Sequence, residues 1–411
     1  LVQPLVRYAP ASAWEADTAR LPRGLQLYRA RVRRFAEEHL APLALEVDAA
    51  PHAAPGALSR ELRSLLGTAG RAGYFSDLLP RPLGTMDPSF LRYPLYLPQA
   101  LRAEELARVD GGLMLFLCAN SLGVAPLLLA ADMALLRRVV IPAFRESEAG
   151  EPHLFAYAIT EPAAGTDAEE AHGAAAARPG VVARWVPGGF RLTGRKCYIS
   201  GGDVAKTIVV FAALEGEGIR SWTAFLVRKG QAGFRVARTE LKMGMRASGA
   251  AELELDDTFV ASDDVVGGLR QGWALNRATL NMSRIPVGGM AVGLAQAATE
   301  LAHDFACRVT LGKKPLVAYQ EVQLALADML AETQSARALV WQAASAKVAR
   351  QRDAAIAKFH ATDIARGVCE RAMDLLGNHA VLHRERVEKT LRDVRLTQIF
   401  EGTNQINRLS A

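Results

Sequence analysis

The run "HLFAYAIT" (His153–Thr160) marks the point at which the sequence changes its period. It is followed by "GFRLTGRKCYIS" (Gly189–Ser200), "AKTIVVFAAL" (Ala205–Leu214), "SWTAFLVRK" (Ser221–Lys229) and "AELELDDTFV" (Ala251–Val260). Each run is short, rich in β-branched and aromatic residues, and bounded by glycines and aspartates. That is the pattern of strands separated by turns. Residues 153–268 are therefore expected to form a small, barrel-like β domain.

Outward from this block the period is helical. "LQLYRARVRRFAEEHLAPLALEVDA" (Leu25–Ala49) places Leu25, Tyr28, Val32, Phe35 and Leu40 on one face, and Pro42 ends or bends the helix. The proline- and glycine-rich stretch Leu79–Pro98 reads as a loop dividing the first helical block. After Trp273, "VGGMAVGLAQAATELAHDFACRV" and "YQEVQLALADMLAETQSARALVWQAASAKV" carry wide apolar stripes that need partner helices. The expected class is α+β: an N-terminal helical domain (1–152), the β domain (153–268) and a C-terminal four-helix bundle (269–411).

Of the 411 residues, half are hydrophobic and 22% charged, as in a globular chain. The net charge of +6 is spread among interleaved acids, with no dense basic run to suggest nucleic acid. Scattered arginines suit small anions better. Cys118, Cys197, Cys307 and Cys369 form no C-x-x-C pair, which fits a reducing compartment. His379 and His383 lack a third ligand in any motif, so no metal is expected. "GGLMLFLCANSLGVAPLLLAADMALL" (Gly111–Leu136) reaches membrane-spanning length, but Asn120, Ser121, Gly123 and Pro126 interrupt it. Two short buried helices are expected there instead of a membrane span. No secretory signal is read at the N terminus.

Four stretches could carry chemistry. "YAITEPAAGTDAEE" (Tyr157–Glu170) leaves a strand for a turn whose Thr160 and Thr166 hydroxyls and backbone amides could meet a polar ring edge or an anion; a plain strand-turn reads equally from composition. In "LTGRKCYISGG" (Leu192–Gly202), alternation puts Tyr198 and Ser200 on one side, able to cover a flat heterocycle or simply half-buried. In "CRVTLGKKPLVAYQ" (Cys307–Gln320), Arg308 and Thr310 could hold a phosphate or end a solvated helix. Glu401, in "IFEGTNQINR", could be a desolvated general base beside Phe400, or a cap before a glycine turn. No Gly-x-Gly-x-x-Gly fingerprint, P-loop or Gly-x-Ser-x-Gly elbow is present.

Taken in order, "ITEPAAGTD", "GRKCYISGG", "GMRASG", "RVTLGKK" and "QIFEGTNQINR" closely resemble the acyl-CoA dehydrogenase family of flavoproteins, over nearly the whole chain. The resemblance implies FAD in a cleft between the β domain and the C-terminal bundle. Tyr157, Ile159 and Thr160 would line the flavin. Tyr198, where the family usually has Trp, and Ser200, where it usually has Thr, would lie with Ile199 near its face and N5. Arg308 and Thr310 would approach the FAD pyrophosphate of a neighbouring subunit, implying a dimer or tetramer. Tyr319, Gln320, Gly377, Thr403 and Gln405 would complete the cofactor contacts. Thr166, Asn281, Arg284 and Gly402 would face the acyl thioester.

Glu401 would then abstract the α-proton while a hydride passes from Cβ to the flavin, giving a trans-2-enoyl product. Some branches carry the base before the position of Arg284; Ser283 stands there and cannot serve. "DLLGNHAVL" (Asp374–Leu382) departs from the family's glycine-rich segment, with Asp374 for Gln and only Gly377 kept. Other readings that keep the fold are an acyl-CoA oxidase, an acyl-carrier-protein dehydrogenase of a biosynthetic pathway, or a non-catalytic flavoprotein scaffold. An electron-transferring flavoprotein is the expected acceptor. The bacterial cytoplasm is the expected location, ahead of the mitochondrial matrix.

Overall fold

The structure is a computed structural model that describes residues 10–50, 52–165 and 179–411. The first helical block contains α1 (Pro10–Ala19), α2 (Arg23–Phe35), α3 (Arg60–Arg71), α4 (Tyr96–Val109), α5 (Gly111–Leu129) and α6 (Ile141–Glu148), with shorter turns between them. Leu25, Tyr28, Val32 and Phe35 are the buried stripe of α2, as their spacing requires. The helix runs on through a π turn, Ala36–Leu40, and stops at Pro42. Ser59 caps α3 by accepting from Leu62 N at 3.2 Å, and Asp110 caps α5 through Leu113 N at 2.7 Å.

Two expectations for this block are corrected. Gly111–Leu129 is one 19-residue helix, not two. Pro126 falls in its last turn, so its missing N–H costs one bond close to where the ladder ends. This helix is long and apolar enough to cross a membrane, and two-thirds of it (67%) is buried inside the protein. The loop expected to reach Pro98 ends earlier, because α4 starts at Tyr96 and Pro98 sits in its first turn, where no intrahelical donor is needed.

The β domain comprises β1 (Phe155–Ala158), β2 (Val182–Val186), β3 (Gly189–Ser200), β4 (Thr207–Leu214), β5 (Thr223–Arg228), β6 (Phe234–Thr239), β7 (Ala250–Ala261) and β8 (Val265–Val266). They form one sheet in the order β6-β7-β3-β2-β4-β5-β8, with β1 parallel to β4 in register Phe155 to Thr207. Among the described residues no pairing joins β6 to β8, so the ladder is an open path, not a closed barrel. The β3–β7 ladder slips at Leu192/Gly194 and again at Lys196/Ile199. The second bulge is where Tyr198 takes φ +59°.

The C-terminal block is α7 (Gly272–Arg308), the hairpin β9 (Thr310–Leu311) and β10 (Lys314–Pro315), then α8 (Gln320–Ala344), α9 (Gln351–Leu376), α10 (Val387–Thr397) and α11 (Asn404–Leu409). The 37-residue α7 is the spine of the molecule, packing on α9 and α8 on one side and on α4 and α5 on the other. Gly289 and Gly293 permit this. A Cβ on either would meet the carbonyl oxygen of Ala100 or of Glu104 on α4, so the two backbones touch. One apolar core runs through all three blocks, from Leu113 through Ala156 to Met290.

Candidate active site

Glu401 stands between α10 and α11, with φ +56°, followed by Gly402 at φ +79°. Two successive left-handed residues make a sharp reversal. Glycine takes it freely, whereas Glu401 carries a cost of about 1–2 kcal/mol that its surroundings must offset. They do so through backbone carbonyls. Arg284 Nε donates to Glu401 O at 3.3 Å. Asn407 Nδ2 reaches Gly402 O at 2.8 Å and Thr403 O at 3.0 Å. Buried Lys358 donates to Gly402 O at 2.8 Å and to Asn404 Oδ1 at 2.9 Å. Asn404 is tied in turn to Thr362 Oγ1 at 2.8 Å and Asp363 Oδ1 at 2.7 Å on α9.

The carboxylate itself is bound by one hydroxyl: Ser283 Oγ donates to Glu401 Oε2 at 2.5 Å. Burial pushes the Glu401 pKa up, while the Ser283 bond and the charges of Arg284 and Lys358 hold it down against that rise. The Glu401 N–H has no acceptor among the described residues.

Glu401 and Phe400 close one side of a cavity of about 170 Å³ between α4, α5 and α7. Met114, Cys118, Leu122, Pro286 and Met290 make its walls apolar, and Ser200 enters it from the end of β3. Residues from all three blocks thus meet at one place. An apolar cavity with a few converging polar groups and an acid of raised pKa is the pattern of an active site.

The structure brings together Ser200, Ser283, Arg284, Glu401 and Gly402. Tyr198 lies two residues before Ser200 and is 65% exposed, while Cys197 and Ile199 are buried. Ile199 accordingly offers a ligand no side chain on that surface. Ile159 and Thr160 are half-buried at the end of β1, with Thr160 O accepting from Cys197 N at 2.9 Å. Tyr157, expected on the flavin, has its ring buried edge-on to Phe211 at 5.1 Å, and its hydroxyl is engaged by Asn276. Asn281 is half-buried on α7. Thr166 lies outside the described residues.

Other expected cofactor residues are not gathered at Glu401. Arg308 sits on the same helix as Ser283 but about 37 Å along it, at about 1.5 Å per residue. It pairs with Glu385 Oε2 at 2.5 Å. Thr310 and Gln320 are exposed, and Tyr319 donates to Leu311 O at 2.6 Å. Gly377 is exposed and ends α9 with φ +56°. The Thr403 hydroxyl caps α11 by accepting from Ile406 N at 3.3 Å, and Gln405 points to solvent.

Sequence reading missed Lys358, Asn404 and Asn407, which hold the Glu401 turn. Their one signal was a lysine alone on an otherwise apolar helical face in "AAIAKFHAT". It also missed the buried pair Lys196–Glu161 at 2.7 Å, which fastens the Thr160 turn to β3. Glu161 accepts as well from Gly180 N at 2.5 Å and Val181 N at 3.2 Å.

The surface beside the cavity fits a flavin. It offers an exposed aromatic ring at Tyr198 and hydroxyls at Thr160 and Ser200, on a segment that the Lys196–Glu161 pair makes rigid.

Models of the acyl-CoA dehydrogenase N-terminal, middle and C-terminal domains match residues 24–146, 156–258 and 270–411. The chain is 34% identical over 385 residues to cyclohex-1-ene-1-carbonyl-CoA dehydrogenase of Geobacter metallireducens, covering 92% of this chain and 94% of that protein. It is 31% identical over 401 residues to the mitochondrial short-chain specific acyl-CoA dehydrogenase of Bos taurus, covering 96% and 90%. The structure of butyryl-CoA dehydrogenase from Megasphaera elsdenii superposes with a TM-score of 0.84 at 29% identity, over 95% of this chain and 97% of that one. The three matched domains, in order and around one shared cavity, show that the chain belongs to the acyl-CoA dehydrogenase family, oxidoreductases acting on CH–CH donors.

Proposed function

We propose that the chain oxidises an acyl-CoA to the trans-2-enoyl-CoA with Glu401 as the α-proton base. The observation that carries this reading is the placement of Glu401: a desolvated carboxylate on a pinned turn, facing an apolar cavity that also receives Ser200. When bound against β3 and the C-terminal bundle, FAD supplies the acceptor for the hydride that leaves Cβ.

The chain's own residues do the rest. Ser283 fixes Oε2, which leaves Oε1 to take the α-proton as the C–H bond breaks and the double bond forms. The Glu401 N–H is available to the thioester carbonyl, where negative charge develops as that proton leaves. The apolar walls exclude water and keep the carboxylate basic. Thr160, Tyr198 and Ser200 would hold the cofactor's ring system.

The proposed assembly is a homo-oligomer, a reading supported by the exposed β9–β10 hairpin and by Arg308 lying far from the Glu401 cavity. An electron-transferring flavoprotein is the proposed acceptor. The bacterial cytoplasm is the proposed location, in keeping with four cysteines that form no disulfide.

The test is anaerobic bleaching of the purified flavoprotein by butyryl-CoA. Glu401→Gln should keep its flavin and bleach about 10²–10⁴-fold more slowly. Full turnover in that variant would remove Glu401 as the base. Rates with oxygen against an electron-transferring flavoprotein decide the acceptor.

A further inference from the structure

The cavity that Glu401 faces is apolar along its walls but carries a buried ionic cluster on α4. Arg102 is 2% exposed and lines the cavity together with Gln99 and Ser121. Its Nη1 donates to both carboxylate oxygens of Asp77 at 2.8 Å and to Tyr74 O at 3.3 Å. Its Nη2 donates to Gln99 Oε1 at 2.5 Å and to Ser121 Oγ at 3.2 Å. Desolvating a guanidinium beside a hydrocarbon-binding wall is expensive, and a plain alkyl chain offers nothing in return.

The cluster has donors to spare. Among the described residues nothing accepts from Arg102 Nε, from Gln99 Nε2 or from the Ser121 hydroxyl. These groups call for an acceptor atom. The charge is already balanced, since Asp77 engages Arg102 with both oxygens, so a further carboxylate would arrive without a counter-charge of its own.

The register of the helices places this cluster along the cavity. Gly289 meets Ala100 and Gly293 meets Glu104, so α4 and α7 run side by side in the same direction. Ser283, which holds Glu401, is therefore level with the residues just before α4. Arg102 lies roughly 12 Å further on, at about 1.5 Å per residue, and its head group reaches back one turn toward Gln99.

We infer that this chain acts on medium-length acyl thioesters whose far end bears an uncharged oxygen acceptor, such as a ketone, read by Arg102, Gln99 and Ser121. This rests on the dehydrogenase reading above and names its acyl class. A methyl end cannot use the donors, whereas a carbonyl oxygen there completes them, and a site built to bond an oxygen rejects the analogue that lacks it.

The test compares anaerobic bleaching and kcat/KM for octanoyl-CoA, 7-oxooctanoyl-CoA and suberyl-CoA (methyl, ketone and carboxylate ends), with butyryl-CoA as the check on the reaction itself. The holoenzyme should prefer 7-oxooctanoyl-CoA to octanoyl-CoA by about tenfold or more, with suberyl-CoA the poorest. Arg102→Met combined with Asp77→Asn, which removes both members of the ion pair, should bring the ketone-to-methyl ratio close to one. Should that variant not fold, Gln99→Leu removes one donor without stranding a charge and should lower the ratio several-fold. Equal rates for octanoyl-CoA and 7-oxooctanoyl-CoA would overturn the inference and leave the dehydrogenase reading intact. A preference for suberyl-CoA would overturn the uncharged end group. No bleaching with any thioester, butyryl-CoA included, would overturn both readings.

Discussion

Ser283 Oγ and Glu401 Oε2 lie 2.5 Å apart, one on α7 and the other on the turn between α10 and α11. The bond does two things at once. It selects which carboxylate oxygen is left to take a proton, and it lowers the pKa of an acid that burial has raised.

Activity should therefore rise with pH along a limb set by Glu401 ionisation, lying above the ordinary glutamate range. Ser283→Ala removes a donor to the charged form, so the limb should move further up. The pH profile of kcat/KM measures this, and a limb that stays put or moves down would show that the hydroxyl does not tune the base.

Asn407→Leu should loosen the Glu401 turn, because one amide serves both Gly402 O and Thr403 O. The expected loss of stability is about 1–3 kcal/mol, read by denaturant titration. A fall in kcat should accompany it even in protein that keeps its flavin, since the base loses its fixed position.

Lys196→Met would strand Glu161 in the β-domain interior and should cost about 3–5 kcal/mol. Combining it with Glu161→Gln should return part of that loss. The same variants should release flavin more readily on dilution, because the Thr160 turn is held by this pair. Unchanged flavin retention in Lys196→Met would sever that link.

Gly123→Ala is a purely steric test. A Cβ there would press on the Phe155 backbone where α5 crosses β1, so a cost of about 1–3 kcal/mol and a lower Tm are expected.

The alternation of periods was enough to place the three blocks, because strand and helix faces are written in local spacing. Glu401 was legible for a similar reason: Phe400 and Gly402 flank it in sequence. What failed to show was what depends on partners far along the chain. Lys358 reaches Gly402 over 44 positions, and Arg102 reaches Asp77 over 25. Within "QALRAEELARVD" Arg102 looks like any charge on a solvated helix. The single helix at Gly111–Leu129 was misread because a proline weighs less at a helix end than at its centre. The inward turn of the Tyr157 ring did not show either, because a ring beside a functional turn can face inward as easily as outward.

The glycine seam between α7 and α4 has one more implication. Because backbone touches backbone there, the interval from the proton-abstracting end to the Arg102 end is set by the main chain and works as a fixed gauge. Met114, Cys118 and Leu122 of α5, by contrast, are wall residues of the cavity and set only its bore. Substitutions at Met114, Cys118 or Leu122 should widen or narrow what the enzyme admits without changing where a chain's terminus comes to rest. Girth and length of the substrate are thus separately adjustable in this molecule, the first by single side chains and the second only by sliding one helix along another.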